Sequence, residues 1–332
     1  MRWTTAEKPT SKTLTVGQEK KQVTVAAFSD AKGVVEEING TRNARYFERS
    51  TVFVGGAWHA VGFYGLATAA WDGAQWRELV DEEVGKMLGE DDRTMAVASD
   101  GARAWAVSCA GAVHEWTGKR WERRAKSGGE AFKGERHFAR VAWDHAAERL
   151  VLWGGNVNNR ASNDTLLFDG GVWQKSTKPG TKLSARKADN YWLYDDHARG
   201  VVRIGTEGCS VLDGKDAWKP LDLAPPPFIA ANGSHLVIAH DPASKKTLWL
   251  DPIAGNVYAE GKPTPIANVG QPPGLVARQT LTGAGAYFWN DFDCVNDTQW
   301  LWGWDASARR AYGFRLKSSR HVCTLDLATL FA

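Results

Sequence analysis

The chain has 332 residues, 43% of them hydrophobic and 24% charged, with a formal net charge of +3 and a pI near 8.6. That composition fits a globular protein with a sizeable core. So small a positive excess, spread along the chain, argues against the concentrated basic face of a nucleic-acid binder, and no run of ~18 apolar residues exists to form a bilayer-crossing helix.

Taken in chain order, the first segment is Arg2–Thr5, short and strand-like, within the opening MRWTTAEKPTSK. It has no apolar stretch of the signal-peptide kind, so a cytoplasmic location is expected, or secretion only after loss of a leader. Gln22–Ser29, Trp58–Tyr64, Leu150–Trp153, Val201–Ile204 and Leu248–Leu250 follow as short segments rich in Val, Thr and aromatics, bounded by Gly, Asp, Asn and Pro. Period-two patterning with such punctuation predicts many short antiparallel strands. Only Asp81–Gly89 reads as a helical turn or two.

A repeat runs through these strands. Trp71-Asp72-Gly73 leads to Trp76, Trp116-Thr117-Gly118 to Trp121, Phe168-Asp169-Gly170 to Trp173, and Leu212-Asp213-Gly214 to Trp218. Weaker copies are Ile38-Asn39-Gly40 before Tyr46 and Phe47, Leu250-Asp251 before Tyr258, and Trp304-Asp305 before Tyr312. Asp-Gly and Asn-Gly supply the positive φ of a tight primed hairpin turn. The aromatic that follows opens a fourth strand, where a large ring fills the wedge between diverging sheets. That role also accounts for 17 tryptophans. The spacing is that of four-stranded blades.

The fold expected is therefore all-β: one β-propeller domain spanning 1–332, with blades near 12–49, 50–81, 93–126, 136–177, 187–222, 227–262 and 274–317. Seven blades is the expectation and six the alternative, because the first has the weakest motif. The leftover ends, Arg2–Thr5 and His321–Leu327, would close the ring by pairing and so remove open edges. The four cysteines, Cys109, Cys209, Cys294 and Cys323, lack CxxC spacing and are expected to be thiols. Cys294 with Cys323 is the one pair worth testing as a bridge.

The sharpest copy has Arg140 to Asp144, then Arg149 to Gly155 ending in a double glycine, then Asn163-Asp164-Thr165, then Asp169-Gly170 leading to Trp173. These residues resemble kelch repeats of the bacterial kind. The next copy has Ile204-Gly205 in place of the double glycine, and Gly55-Gly56 follows a first strand instead of a second. The resemblance implies the propeller fold. It implies no function, since the architecture hosts binding platforms and enzymes alike.

Function is expected in the longer loops. Those after the second and fourth strands share one face, and they contain Asp91, Asp92, Arg136, Asn158, Asn159 and Arg160, and further on Trp289, Asp291 and Asp293. These are the candidate partner-binding residues. Asp291, Asp293 and Asp297 form a weak Ca²⁺ candidate, because the cluster lacks the glycine and final Glu of an EF-hand loop. No other metal and no cofactor are expected. The eight histidines form no HxH or HExxH cluster, and no GxSxG elbow or Walker loop is present. His145 and His197 follow Asp144 and Asp196 at equivalent turns, which repeat geometry explains. The expected function is a non-catalytic module, monomeric, that presents one face to a protein or peptide. The alternative is a carbohydrate-active propeller, a lectin or glycosidase, using exposed Trp and paired acids.

Overall fold

In a computed structural model of the protein the described residues are strand segments within 4–79, followed by 94–137, 139–158, 160–177, 192–214, 216–229, 236–271, 300–315 and 322–332. Strands dominate. The helical segments described in full are short: an α-turn, Gly129–Phe132, and a 3-10 turn, Ala328–Leu330. The expected helical segment at Asp81–Gly89 lies outside the described residues.

Six four-stranded antiparallel sheets are described. In chain order, blade 1 is Thr51–Val54, Ala57–Val61, Thr68–Trp71 and Trp76–Leu79. Blade 2 is Thr94–Ser99, Ala104–Ser108, Val113–Trp116 and Trp121–Ala125, and blade 3 is Arg140–Asp144, Arg149–Trp153, Thr165–Phe168 and Trp173–Lys175. Blade 4 is Trp192–Asp196, Gly200–Gly205, Gly208–Leu212 and Trp218–Leu221, and blade 5 is Val237–Asp241, Lys246–Asp251, Asn256–Ala259 and Pro265–Asn268. Blade 6 is Trp300–Asp305, Arg310–Arg315 and Val322–Asp326, completed on its outer side by Thr4–Thr5. There Thr4 pairs with Thr324 and Thr5 with Cys323, so the two chain ends close the last sheet as the sequence leads one to expect.

The first strands stand side by side. Thr51–Val54 neighbours both Trp300–Asp305 and Thr94–Ser99, Arg140–Asp144 neighbours Thr94–Ser99 and Trp192–Asp196, and Val237–Asp241 neighbours Trp300–Asp305. Blades 4 and 5 share a core that joins Tyr194, Val202 and Ile204 to Leu236, Trp249 and Tyr258. The result is a β-propeller with six four-stranded sheets among the described residues. Within the segment expected as a first blade, 12–49, the described strands form a three-stranded sheet of Pro9–Val16, Lys21–Phe28 and Val34–Glu37, and 38–49 lie outside the described residues.

The core lies between blades rather than within one. In the second strand of blade 3, Leu150 and Leu152 pack toward blade 2 with Trp105 and Val107. Val151 and Trp153 pack toward blade 4 with Val201 and Trp218. Alternate side chains of a strand face opposite ways. Because both faces of a blade are covered, the strand reads as an unbroken apolar run. Trp105 and Trp143 of adjacent blades stack at 4.0 Å with planes 7° apart.

In blades 3 and 4 the tryptophan opening the fourth strand ties the blade to the one before it. Trp173 donates its indole N–H to the Gly111 carbonyl of blade 2 at 2.8 Å, and Trp218 donates to Thr165 Oγ1 of blade 3 at 2.7 Å. The turns ahead of these rings differ from expectation. The pairs Trp116 with Trp121 and Phe168 with Trp173 enclose residues 117–120 and 169–172, too many for a two-residue primed turn. Gly118 and Gly170 still take the positive φ, at 89° and 98°. At the third copy Gly214 is not in that region; Asp216 is, at 64°, and Asp213 Oδ1 accepts from the Ala217 amide at 2.9 Å. A turn of this length needs one left-handed residue rather than two.

A second repeat became visible only in three dimensions. Asp144, Asp196, Asp241 and Asp305 each end a first strand and are buried. Each turns its carboxylate back to accept amide hydrogens of the following turn, from Ala147, Ala198, Ala243 and Ala308 respectively. This is the Asx-turn chemistry of aspartate. Burial alone would raise the pKa of Asp241, but the Ser244 hydroxyl, the Ser244 and Ala243 amides and the Arg309 guanidinium hold it below its ordinary value.

A folded-state pKa below the unfolded one contributes stability above the unfolded pKa, ~3.9, and that stability is lost as pH falls through the folded value. Asp241→Asn is therefore expected to lower stability by about 1–2 kcal/mol near neutrality. It should also flatten the decline of the thermal midpoint between about pH 5 and pH 3. Circular dichroism melts of both proteins across that range check this, and parallel curves would count against the assignment.

Candidate functional site

The turns that follow the first strands gather at one end of the blades. Because first strands of adjacent blades are neighbours, equivalent positions in consecutive repeats come together there. His145 follows Asp144 of blade 3, and Asp195 and His197 flank Asp196 of blade 4. Asp195 Oδ2 accepts from His145 Nδ1 at 2.8 Å and lies 3.3 Å from His197 Nδ1. The two imidazole rings sit 4.0 Å apart. Each residue offers one ligand atom, and the three atoms lie within 4.8 Å of one another.

The exposure of these groups is graded. The Asp195 side chain is 10% exposed, while those of His145 and His197 are 37% and 39% exposed. The second carboxylate oxygen of Asp195 is buried, with no hydrogen-bond partner among the described residues. Burial raises the Asp195 pKa; His197 and His145 pull it back, and the charge of Asp144 adds to the upward shift. Burial likewise lowers the pKa of His197. Behind His197, at 5.8 Å between rings, stands His240 at the end of the first strand of blade 5. Its Nδ1 meets Thr247 Oγ1 at 3.0 Å, its Nε2 is buried without a partner among the described residues, and burial lowers its pKa.

Beside this cluster a polar network crosses from blade 4 to blade 5. Arg199 binds both oxygens of Glu260, at 2.7 and 2.6 Å, and also pairs with Asp196. The Tyr194 hydroxyl donates to Glu260 as well, and burial followed by the Glu260 charge raises its pKa far above the ordinary value. These contacts lock the turn that carries His197.

Of the residues expected to bind a partner, Arg136, Asn158 and Arg160 are described, and they lie away from this cluster. Arg136 is fully buried. It donates to the Gly154 carbonyl at 2.5 Å and to Asp164 Oδ2 at 3.2 Å, with the Phe132 ring 5.7 Å from its guanidinium carbon. Its strand, Arg136–His137, pairs with Asn156–Val157, which pairs in turn with Arg160–Ala161. Arg136 and Arg160 therefore belong to one small three-stranded sheet, and Asn158 stands in the turn of its hairpin, in the loop after the second strand of blade 3. Asn158 holds a left-handed φ of 50°, and it and Arg160 are exposed. Asp91, Asp92, Asn159, Trp289, Asp291, Asp293 and Asp297 lie outside the described residues. Cys109, Cys209 and Cys323 are buried thiols, and burial pushes the Cys209 pKa up to about 12. Cys294 is outside the described residues.

The His145–Asp195–His197 cluster is the arrangement that reading the sequence missed. Its signal was present as Asp-His at equivalent positions of adjacent repeats, plus one extra aspartate.

No protein-family model matches the chain, and no curated protein matches it. Solved structures do. A protein of unknown function from Bacteroides thetaiotaomicron VPI-5482 is 10% identical with a TM-score of 0.51, over 97% of this chain and 76% of that one. YCF48 bound to D1 peptide is 14% identical with a TM-score of 0.44, over 98% of this chain and 96% of that one. The extracellular domain of the putative one component system BT4673 from B. thetaiotaomicron is 9% identical with a TM-score of 0.43, over 98% of this chain and 40% of that one. At 10% identity the first of these shows a likeness of fold alone, and none of the three carries anything about ligands.

Proposed function

We propose that the protein is a non-catalytic binding module that presents the loop face around blade 3 to a protein or peptide partner. The observation that carries this reading is the small sheet of Arg136–His137, Asn156–Val157 and Arg160–Ala161. Its last strand is at the edge of the sheet order, and both of its residues are exposed. An exposed edge offers main-chain hydrogen bonds to an extended peptide. Exposed Asn158 and Arg160 add polar contacts from side chains beside it. The hairpin is also held from beneath by Arg136, so little ordering cost attends binding.

The carbohydrate alternative rests on exposed Trp with the acids Asp91, Asp92, Asp291 and Asp293, and those acids lie outside the described residues.

A photo-crosslinking residue placed at Arg160 is expected to give a discrete protein adduct in extracts of the source cells. The same residue at Arg120, exposed in the loop between the third and fourth strands of blade 2, is expected to give none. Equal labelling at both positions, or none at either, would count against this face.

A further inference from the structure

We propose that His145, Asp195 and His197 form a binding site for a divalent transition-metal ion of the zinc class, at the end of the propeller where the first strands of blades 3 and 4 turn. The site is separate from the partner face proposed above and does not depend on it.

The argument begins with the donors. Two imidazole nitrogens and one carboxylate suit Zn²⁺, Co²⁺ or Ni²⁺, whereas Ca²⁺ and Mg²⁺ prefer sites built from oxygen alone. Spacing comes next. Bonds of ~2.0–2.1 Å at tetrahedral angles place ligand atoms about 3.3 Å apart. Asp195 Oδ2 already stands 2.8 Å and 3.3 Å from the two Nδ1 atoms, so little movement is needed to admit an ion.

The third observation is independent of the first two. Asp195 keeps a buried carboxylate oxygen with no hydrogen-bond partner among the described residues. A buried charged group with an unsatisfied oxygen is costly, and a bound cation offsets that cost. Asp144, one residue before His145, adds a second negative charge that acts on Asp195. The support is rigid as well. Asp144 and Asp196 fix the two turns through their amides, and Arg199 with Glu260 braces the turn of His197. Preset ligands of this kind are what a metal site requires.

Three protein ligands leave a fourth position of a tetrahedral ion free, and the two histidines, each more than a third exposed, leave it open to solvent. The ion is therefore exchangeable, not one the fold depends on.

Zn²⁺ titration of the purified full chain against a chromophoric chelator tests the assignment, with Co²⁺ absorption as a second readout. Wild type is expected to bind one equivalent of Zn²⁺ and to give the visible Co²⁺ bands of a tetrahedral N/O site. His145→Ala, His197→Ala and Asp195→Asn are each expected to weaken binding by at least ~100-fold, since loss of a mere supporting contact already costs 10–100-fold. Asp195→Asn keeps the side-chain volume, and circular dichroism confirms that the variant is folded. His137→Gln removes the imidazole beside Cys109, at 3.4 Å, and should leave binding unchanged. The proposal fails if wild type binds no Zn²⁺, if the three ligand variants bind as wild type does, or if the loss follows His137 instead.

Discussion

Trp218→Ala is expected to cost about 3–5 kcal/mol of folding stability, the range for truncating a buried aromatic. The ring is 5% exposed and sits between blades 3 and 4 among Ala142, Val151, Trp153 and Leu167. Three losses combine on truncation. A cavity opens at a junction where both sheets already have fixed twist and cannot close on it. Thr165 Oγ1 loses the indole N–H that reaches it at 2.7 Å. Arg203, buried and 4.6 Å from the Trp218 ring and 4.7 Å from that of Trp153, loses one of the two aromatic faces that stabilise its charge away from water. Trp218→Phe keeps most of the apolar area and should cost less, about 1–3 kcal/mol. Urea denaturation followed by far-ultraviolet circular dichroism separates these values. If Trp218→Ala cost less than about 1 kcal/mol, the size of a change at the surface, the ring would not be the wedge that joins the blades.

That wedge was legible in the sequence, because it is written once per repeat. An aromatic three or four residues after the glycine of Asp-Gly or Thr-Gly marks the start of a fourth strand, and Trp121, Trp173 and Trp218 each begin one. The pairing of the chain ends was legible for a related reason: two strand-like pieces were left over, and an open ring needs them. Leu150 to Trp153 gave away its burial but not its geometry, since a strand covered on both faces shows no alternation. The exact turn type was not legible. Asp-Gly announces a left-handed residue, but Gly214 leaves that role to Asp216, and only the pairing of Leu212 with Trp218 sets the turn's length.

The His145–Asp195–His197 cluster was hidden for a different reason. Its members come from two repeats about fifty residues apart (50 between His145 and Asp195), and each repeat alone looks like a solvated turn. Adjacency of first strands turns equivalence in sequence into proximity in space. In a propeller, then, matching positions of consecutive repeats should be compared with one another before either is dismissed as surface. The four buried aspartates that cap the first-strand turns follow the same rule. They too were present in the sequence, as Asp144, Asp196, Asp241 and Asp305, but only their shared hydrogen bonding shows why the repeat keeps them.

Arg136 carries the second large effect. A charged residue in a loop reads as exposed on composition alone, yet this side chain is fully buried and its partners Gly154 and Asp164 lie 18 and 28 residues further on. Burial lowers its pKa, and Asp164 offsets part of that shift. Arg136→Ala is expected to cost about 2–3 kcal/mol. That is less than the 3–5 kcal/mol of breaking a fully buried pair, because Asp164 retains its ion pair with Lys175, and its backbone amide still donates to the Ser162 hydroxyl oxygen. Arg136→Lys should recover only part of the loss, since an ammonium cannot reach the carbonyl and the carboxylate with the spread of a guanidinium. The readout that separates a general loss of stability from a local one is hydrogen exchange. Amides of 156–161 should exchange faster in Arg136→Ala while those of the second strand of blade 4, Gly200–Gly205, keep their protection. If both regions change together, or neither does, Arg136 is not what fixes the hairpin. If the hairpin alone loosens, crosslinking from position 160 should weaken in the same variant, because an edge that is no longer held must be ordered again before a partner strand can pair with it.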